Sequence, residues 1–269
     1  MSADLLPAFR RLADALAAIG PLVVGFSGGA DSALLGYVAT EILGQGRVLC
    51  VTAVSPSLAP EELEDCRALA TEWSLCWQTV ETHELANAAY AANGGDRCYH
   101  CKVELMSLLG PIAAGRGATV ALGVNLDDLG EHRPGQQAAA ERGAVFPFVT
   151  ASMGKGDVRE LSRALGLRTA DKPAAACLAS RVPYGTPVTL GILNEVATAE
   201  SGLKRLGLAA VRVRHYGDLA RVEVPIEDLP RLMDQREEVV AAVRSAGYRY
   251  VTLDLEGLRS GNLNQALTG

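Results

Sequence analysis

The sequence predicts an α/β protein: a parallel sheet with helices on both faces, followed by a small C-terminal α/β domain. Three observations carry this reading. From Pro21 onward, short apolar runs alternate with helix-patterned segments, the rhythm of strands joined by crossover helices. The chain is 49% hydrophobic with only 5% aromatics, and its many Ala and Gly residues suit thin helical layers on a Val/Leu sheet. Near Gly185 the pattern changes to one long helix and two alternating strands.

Taken in order, "MSADLLPAFRRLADALAAIG" reads as an amphipathic helix. Asp4, Asp14, Arg10 and Arg11 interrupt its apolar runs, so it lacks the core of a signal peptide. "PLVVGF", "RVLCVTAV", "LCWQTV" and "ATVALGV" are the expected strands, separated by helices over 31–43, 60–73 and 102–115. Beyond the change of character, "GTPVTLGILNEVATAESGLKRLG" is a helix, and "AVRVRHYGDLARVEV" is two strands joined at Gly217-Asp218. A helix around 234–246 and the strand "YRYVTLDL" follow. The boundary falls between 183 and 188, dividing the chain into domains over 1–185 and 186–269.

A formal charge of −6 and a pI near 5.3 provide no overall positive field for a nucleic-acid backbone. No stretch approaches the roughly 20 apolar residues of a membrane span. The expectation is a cytoplasmic protein acting on a small molecule, with neither membrane nor nucleic acid as partner. Its six cysteines, without an export signal, read as reduced thiols or ligands.

The first strand runs into "SGGADS", Ser27 to Ser32, immediately before a helix. Gly28 and Gly29 can take backbone angles closed to other residues. Successive N–H groups then form an anion nest, reinforced by the helix start. Ser27 and Ser32 add hydroxyls, and Asp31 is either a ligand or a cap. No G-x-x-x-x-G-K-[ST] motif occurs, so this is not the usual P-loop. The stretch resembles the SGG-x-DS loop of the N-type ATP pyrophosphatases, a resemblance that implies splitting of ATP between its α and β phosphates and transfer of AMP to a substrate oxygen. A glycine-rich turn without a ligand is the plainer reading.

A second segment, "GVNLDDLGEHRPG", follows the fourth strand, at the sheet edge where α/β folds place ligands. Asp127 and Asp128 could hold Mg²⁺, and His132 or Arg133 could meet phosphate; either acid could equally be a solvated turn or helix cap. In "RCYHCK", Cys98 and Cys101 supply two ligands where a structural metal wants four. Cys50, Cys66 and Cys76 lie in apolar patterns and read as core. Cys177, in "KPAAACLASRVPYGTPV", sits in a loop-like stretch with Lys172 and Arg181 nearby to favour the thiolate.

These strings, with the closing "GYRYVTLDLEGLRSGNLN", resemble the LarE family of sulfur transferases in order and over nearly the whole chain. The resemblance implies adenylation of a carboxylate of pyridinium-3,5-biscarboxylic acid mononucleotide and its conversion to a thiocarboxylate, in assembly of the nickel-pincer nucleotide cofactor. It implies ATP and Mg²⁺ at Ser27, Gly28, Gly29, Asp31, Ser32 and Asp127, with Asp128 a further magnesium candidate. Cys177 becomes the sulfur-bearing residue. In one version of the family this cysteine gives up its own sulfur; in the other, three cysteines hold a [4Fe–4S] cluster. Cys98, Cys101 and Cys177 match the second, since three ligands leave one iron open for a sulfur atom. By resemblance, Ser180, Arg181, Arg212, Arg214 and Glu200 hold the mononucleotide, and the protein is a homo-oligomer that draws on a sulfur donor. Arg212 and Arg214 also share one face of a strand, where Arg221 and Glu223 could simply partner them. Three rivals stand beside this reading: a transfer-RNA thiolase, which needs a basic surface; an amidating enzyme, which needs an ammonia source; and a non-catalytic nucleotide or iron–sulfur module, which would release no pyrophosphate.

Overall fold

The computed structural model describes residues 5–130, 134–173 and 176–259. Its strands are β1 (Leu22–Gly25), β2 (Val48–Val54), β3 (Trp77–Glu81), β4 (Thr119–Ala121), β5 (Arg212–Tyr216), β6 (Leu219–Glu223) and β7 (Tyr250–Leu253). Its helices are α1 (Leu5–Ile19), α2 (Ala30–Leu43), α3 (Pro60–Glu72), α4 (Ala88–Ala91), α5 (Arg97–Gly115), α6 (Pro134–Ala140), α7 (Pro147–Thr150), α8 (Lys155–Ala164), α9 (Leu190–Arg205), α10 (Leu229–Asp234) and α11 (Arg236–Ser245). Among the described residues no helix is long and apolar enough to cross a membrane.

The chain divides into two compact units. Residues 1–55, 60–84 and 98–175 form the first, and residues 56–59, 85–97 and 176–269 the second. The two short pieces drawn from the N-terminal half carry no change of composition that would mark them.

The first unit is built on a parallel sheet in the order β3-β2-β1-β4. Successive residues of β1 and β2 enter different cores. Leu22, Val24, Val48 and Cys50 pack with the buried faces of α1, α2, α3 and α8; Val23, Leu49 and Val51 pack with Met106, Leu109 and Ala113 of α5. A strand buried on both sides has to be apolar throughout, which is why these runs show no alternation. Burial pushes the Cys50 thiol up to about 12, and Cys66 is buried as well. Cys76 is not: it is exposed, because it leads into β3, an edge strand whose residues face largely outward.

In the second unit β5 and β6 form an antiparallel hairpin through Gly217 and Asp218, and β7 adds parallel to β6. Gly217 has φ +64°, the positive angle a two-residue hairpin turn asks of a glycine in that place. Val213, Ala220 and Val222 pack against Ala199 and Leu203 of α9 and Val239 and Val243 of α11. The helix expected around 234–246 is α11, and the short α10 ahead of it, ending at Asp234, was not expected.

His215 on β5 is buried with its Nδ1 3.2 Å from the Tyr248 hydroxyl and 3.6 Å from Glu195. Burial holds its pKa below the ordinary 6.5, against the opposing pull of Glu195. The unfolded chain therefore takes up this proton first on acidification. The stability contributed by neutral His215 is present above pH 6.5 and is lost as the pH falls below that value. Denaturant melts between pH 7.5 and 5 should show a decline that His215→Gln flattens, by at most about 1.4 kcal/mol per pH unit. Identical slopes for the two proteins would refute the assignment.

Candidate functional site

In the first unit, β1 delivers the chain to a loop at the carboxyl edge of the sheet. Phe26 N–H still donates to Val51 of β2 at 2.8 Å, and helix α2 starts at Ala30. Between them Gly28 takes φ +68°. Gly29, expected to need similar freedom, instead has φ −76° and ψ 164°, which any residue adopts. Ser27 N–H donates to Ser32 Oγ at 3.1 Å, and the two hydroxyls are 3.0 Å apart.

Lys172 completes the loop from outside. Its Nζ donates to the Gly28 carbonyl at 3.1 Å while pairing with Glu62 at 2.7 Å and Asp65 at 2.6 Å. A peptide carbonyl and the following N–H point opposite ways, so anchoring the Gly28 oxygen turns the Gly29 N–H away from Lys172. The N–H groups of the first turn of α2 have no intrahelical acceptor and carry the positive end of its dipole. Burial works against the Lys172 charge, but the bonds to Asp65 and Glu62 outweigh it and hold its pKa above the usual lysine value. The expectation that Lys172 serves the Cys177 thiolate gives way to this role, since its three protons go to Glu62, Asp65 and Gly28.

The segment after β4 closes on the same helix start. A Cβ on Gly123 would lie 2.9 Å from the Asp31 carbonyl carbon and from the Ser32 nitrogen, so only glycine fits. Asn125, buried, donates from Nδ2 to Asp31 Oδ1 at 2.8 Å, and its N–H donates to Asp128 Oδ2 at 3.2 Å. Burial raises the Asp31 pKa, the Asn125 bond opposes that, and the charge of Asp128 raises it again. Asp31 and Asp128 therefore form an acidic pair that a divalent cation would relieve. Asp127 does something else: its carboxylate accepts from Lys155 N–H, capping α8. His132 and Arg133 lie outside the described residues. Asn125 and Lys172 are the functional candidates that motif reading missed. The available signals were a lone amide inside an apolar strand end and a lysine before proline.

Helix α5 begins at Arg97, five residues before its expected start, so Cys98 and Cys101 lie on a helix and not in a loop. Three apart, they share a face. Cys98 is exposed, Cys101 is intermediate, and no disulfide involves any of the six cysteines. Cys177 is exposed in the second unit, directly ahead of a 3₁₀ turn over Leu178–Arg181. Among the described residues no group of three or more His, Cys, Asp or Glu side chains is arranged to hold a metal ion. The donor set itself suits iron and sulfur: soft thiol ligands, two of them one helical turn apart and none tied up in a disulfide.

Around Cys177 the second unit gathers its arginines. Arg181 makes a paired bond to Glu200 at 2.7 and 3.0 Å, and both side chains are buried. Glu200 also accepts from Val213 N–H at 3.0 Å, so it is no surface residue. Arg181 donates to the carbonyls of Ala176 and Cys177 and to Ser180 Oγ. Burial disfavours its charge, but Glu200 overrides this and holds the Arg181 pKa above the usual value, with Cys177 contributing. Arg214, 3% exposed, pairs with Glu223 at 2.8 Å and donates to the Ser180 carbonyl; Arg221 bonds the other oxygen of Glu223. The plain cross-strand partnership of arginine and glutamate is thus real for Arg214. Arg212 differs. Among the described residues its one side-chain hydrogen bond is to the Arg259 carbonyl, and burial together with the charges of Arg181 and Arg214 lowers its pKa. Glu200 pairs with Arg181, and Glu223 with both Arg214 and Arg221; among the described residues Arg212, the fourth arginine, makes no ion pair.

Comparison with known proteins agrees with this arrangement. Residues 13–99 match the NAD synthase family, so the loop and the first three strands fall inside the match. A pyridinium-3,5-bisthiocarboxylic acid mononucleotide synthase from Lactiplantibacillus plantarum is 37% identical over 96% of this chain and 94% of its own length. An uncharacterised protein from Synechocystis is 47% identical over 91% of this chain and 92% of its own. An NH₃-dependent NAD⁺ synthetase from Methanosarcina mazei is 35% identical over a third of this chain and 38% of its own. The chain belongs to the LarE family of ATP-dependent sulfur transferases, built on a PP-loop α/β fold.

Proposed function

We propose that this chain adenylates a carboxylate of pyridinium-3,5-biscarboxylic acid mononucleotide and converts it to a thiocarboxylate, as a step in making the nickel-pincer nucleotide cofactor. The observation that carries the ATP half is the nest at Ser27–Ser32, with Gly28 locked by Lys172 and the acidic pair Asp31 and Asp128 beside it. Ser27, Gly28, Gly29 and Ser32 receive the phosphates, and Asp31 with Asp128 holds Mg²⁺; Asp127 acts through the cap it makes on α8. A carboxylate oxygen of the substrate attacks the α-phosphorus, and the bond to the bridging oxygen breaks. Pyrophosphate leaves with its negative charge screened by the nest. Sulfide then attacks the acyl carbon, the C–S bond forms, and the C–O bond to AMP breaks, releasing AMP.

In the second unit Arg212 receives the substrate's anionic group, while Arg181 and Arg214, oriented by Glu200 and Glu223, frame it with Ser180. Cys98, Cys101 and Cys177 are the residues that would hold a [4Fe–4S] cluster, which would supply sulfur as sulfide. A sulfur donor, assembly into a homo-oligomer and a cytoplasmic location complete the reading.

The test combines product analysis with an iron count. With ATP, Mg²⁺ and the biscarboxylate mononucleotide, AMP, pyrophosphate and thiocarboxylate should appear in equal amounts. Protein purified without oxygen should contain about four irons per chain, and Cys98→Ala should lose them. Absence of pyrophosphate removes the adenylation reading. A Cys177 peptide lighter by hydrogen sulfide after turnover replaces the cluster with sacrifice of this cysteine's own sulfur.

A further inference from the structure

The segment that follows Cys177 has almost no regular structure, yet most of it is pinned. Leu178 N–H donates to the Ser57 carbonyl at 2.8 Å, Gly185 N–H to the Asn93 carbonyl at 3.1 Å, and Val188 N–H to the Ala91 carbonyl at 2.8 Å. The partners come from the two short pieces, 56–59 and 85–97, that belong to the second unit while lying far away in sequence. Their side chains continue the pattern. Asn93 Nδ2 donates to the carbonyls of Pro183 at 2.8 Å, Thr186 at 2.9 Å and Val182 at 3.3 Å. Arg97 Nη1 donates to Asn93 Oδ1 and, at 2.9 Å, to the Ala179 carbonyl.

Both residues are unusual for what a plain packing role requires. Asn93 is 0% exposed and holds φ +57°, a left-handed angle that Asn tolerates better than most residues but that still costs energy. Arg97 is 4% exposed, and its guanidinium lies 5.7 Å from the centroid of the Tyr184 ring. A buried guanidinium and a strained buried amide persist where a specific geometry is being held. What they hold is the turn that carries Ala179, Ser180 and Arg181. The Arg181 guanidinium in turn reaches the carbonyls of Ala176 and Cys177.

We propose that Asn93 and Arg97 are positioning residues for sulfur transfer: through the carbonyls of 179, 182, 183 and 186 they fix the turn that follows Cys177 and carries Arg181, whose guanidinium bonds the Cys177 carbonyl. The role assigned to Cys177 above is the premise. The prediction concerns the electrostatic setting of one thiol, so it can be read without turnover.

The full chain, free of iron, is alkylated in parallel with iodoacetate and iodoacetamide, and the Cys177 and Cys76 peptides are quantified by mass spectrometry. The reagents differ chiefly in charge, so their rate ratio at Cys177 reports the guanidinium field, with exposed Cys76 as the internal reference. Asn93→Asp keeps the shape and the acceptor for Arg97 but loses the amide donor. It should lower the normalised ratio roughly threefold and thiocarboxylate formation about tenfold or more, with ATP affinity unchanged. Arg97→Met should do the same, and Arg97→Lys should restore part of the loss. Variants that keep the wild-type ratio and the wild-type rate of sulfur transfer, even with a lowered melting temperature, would show that the pair only stabilises the fold and would overturn the proposal. If wild-type protein forms no thiocarboxylate, the proposed function fails, and the alkylation ratio still decides whether Asn93 and Arg97 set the thiol's surroundings.

Discussion

Cys177→Ala is expected to abolish thiocarboxylate formation while leaving ATP binding and the fold intact. Removing a group that reacts directly costs on the order of 10³-fold or more. The side chain is exposed and precedes the turn without capping it by a side-chain hydrogen bond, so its loss opens no cavity and leaves intact the bond of Arg181, which runs to the Cys177 main-chain carbonyl. Melting temperature should therefore stay within error of wild type. Pyrophosphate release, which rests on the nest in the other unit, should persist. Sulfur-containing product at wild-type rates from this variant would remove Cys177 from the reaction. Loss of pyrophosphate release together with product would instead place it in the adenylation step.

Gly28→Ala should be the most damaging change in the nucleotide loop, and Gly29→Ala the instructive control. At Gly28 the positive φ of 68° costs a side-chain-bearing residue about 1–2 kcal/mol. The added Cβ would also lie 2.9 Å from the buried Sγ of Cys66, which is packed in the core and has little room to retreat. The loop can relieve both only by releasing the Gly28 carbonyl from Lys172, which rotates the Gly29 N–H out of the nest. ATP affinity is expected to fall at least about tenfold, equal to 1.4 kcal/mol, with a lower melting temperature. At Gly29 the backbone is ordinary and the nearest atom to an added Cβ is Ser27 Oγ at 3.6 Å, so stability should hold. Isothermal titration and thermal melts on both variants check this. Equal losses of stability would mean that Gly28 is not the strained position.

The same comparison shows where motif reading succeeds and where it stops. "SGGADS" announces an anion nest because the residue types around a strand-to-helix turn limit what the backbone can do, yet the string treats its two glycines alike. Only the packed structure separates them, since Cys66 and Lys172 approach one of them from α3 and from a loop more than a hundred residues on. Helix α5 was expected to begin at 102 because "RCYHCK" has no apolar stripe. Asp96, a residue type favoured ahead of helices, was the signal for the earlier start at Arg97. Cys76 was expected in the core because its run is apolar, whereas position on an edge strand decided its exposure.

Local rules, acting over a few residues, were enough to place each strand of the parallel sheet, the Gly217-Asp218 hairpin and the glycine loop between β1 and α2. Periodicity and turn chemistry depend on neighbours along the chain. Which charges cancel was settled only by tertiary structure. Glu200 could have been any exposed glutamate and is instead the buried partner of Arg181; Arg214 is matched by Glu223; Arg212 makes no ion pair among the described residues. The assignment of 56–59 and 85–97 to the second unit is of the same kind. The reason is that an ion pair or a main-chain hydrogen bond depends on distance in space, and residues 93 and 183, or 181 and 200, carry nothing in their letters that records how near folding brings them.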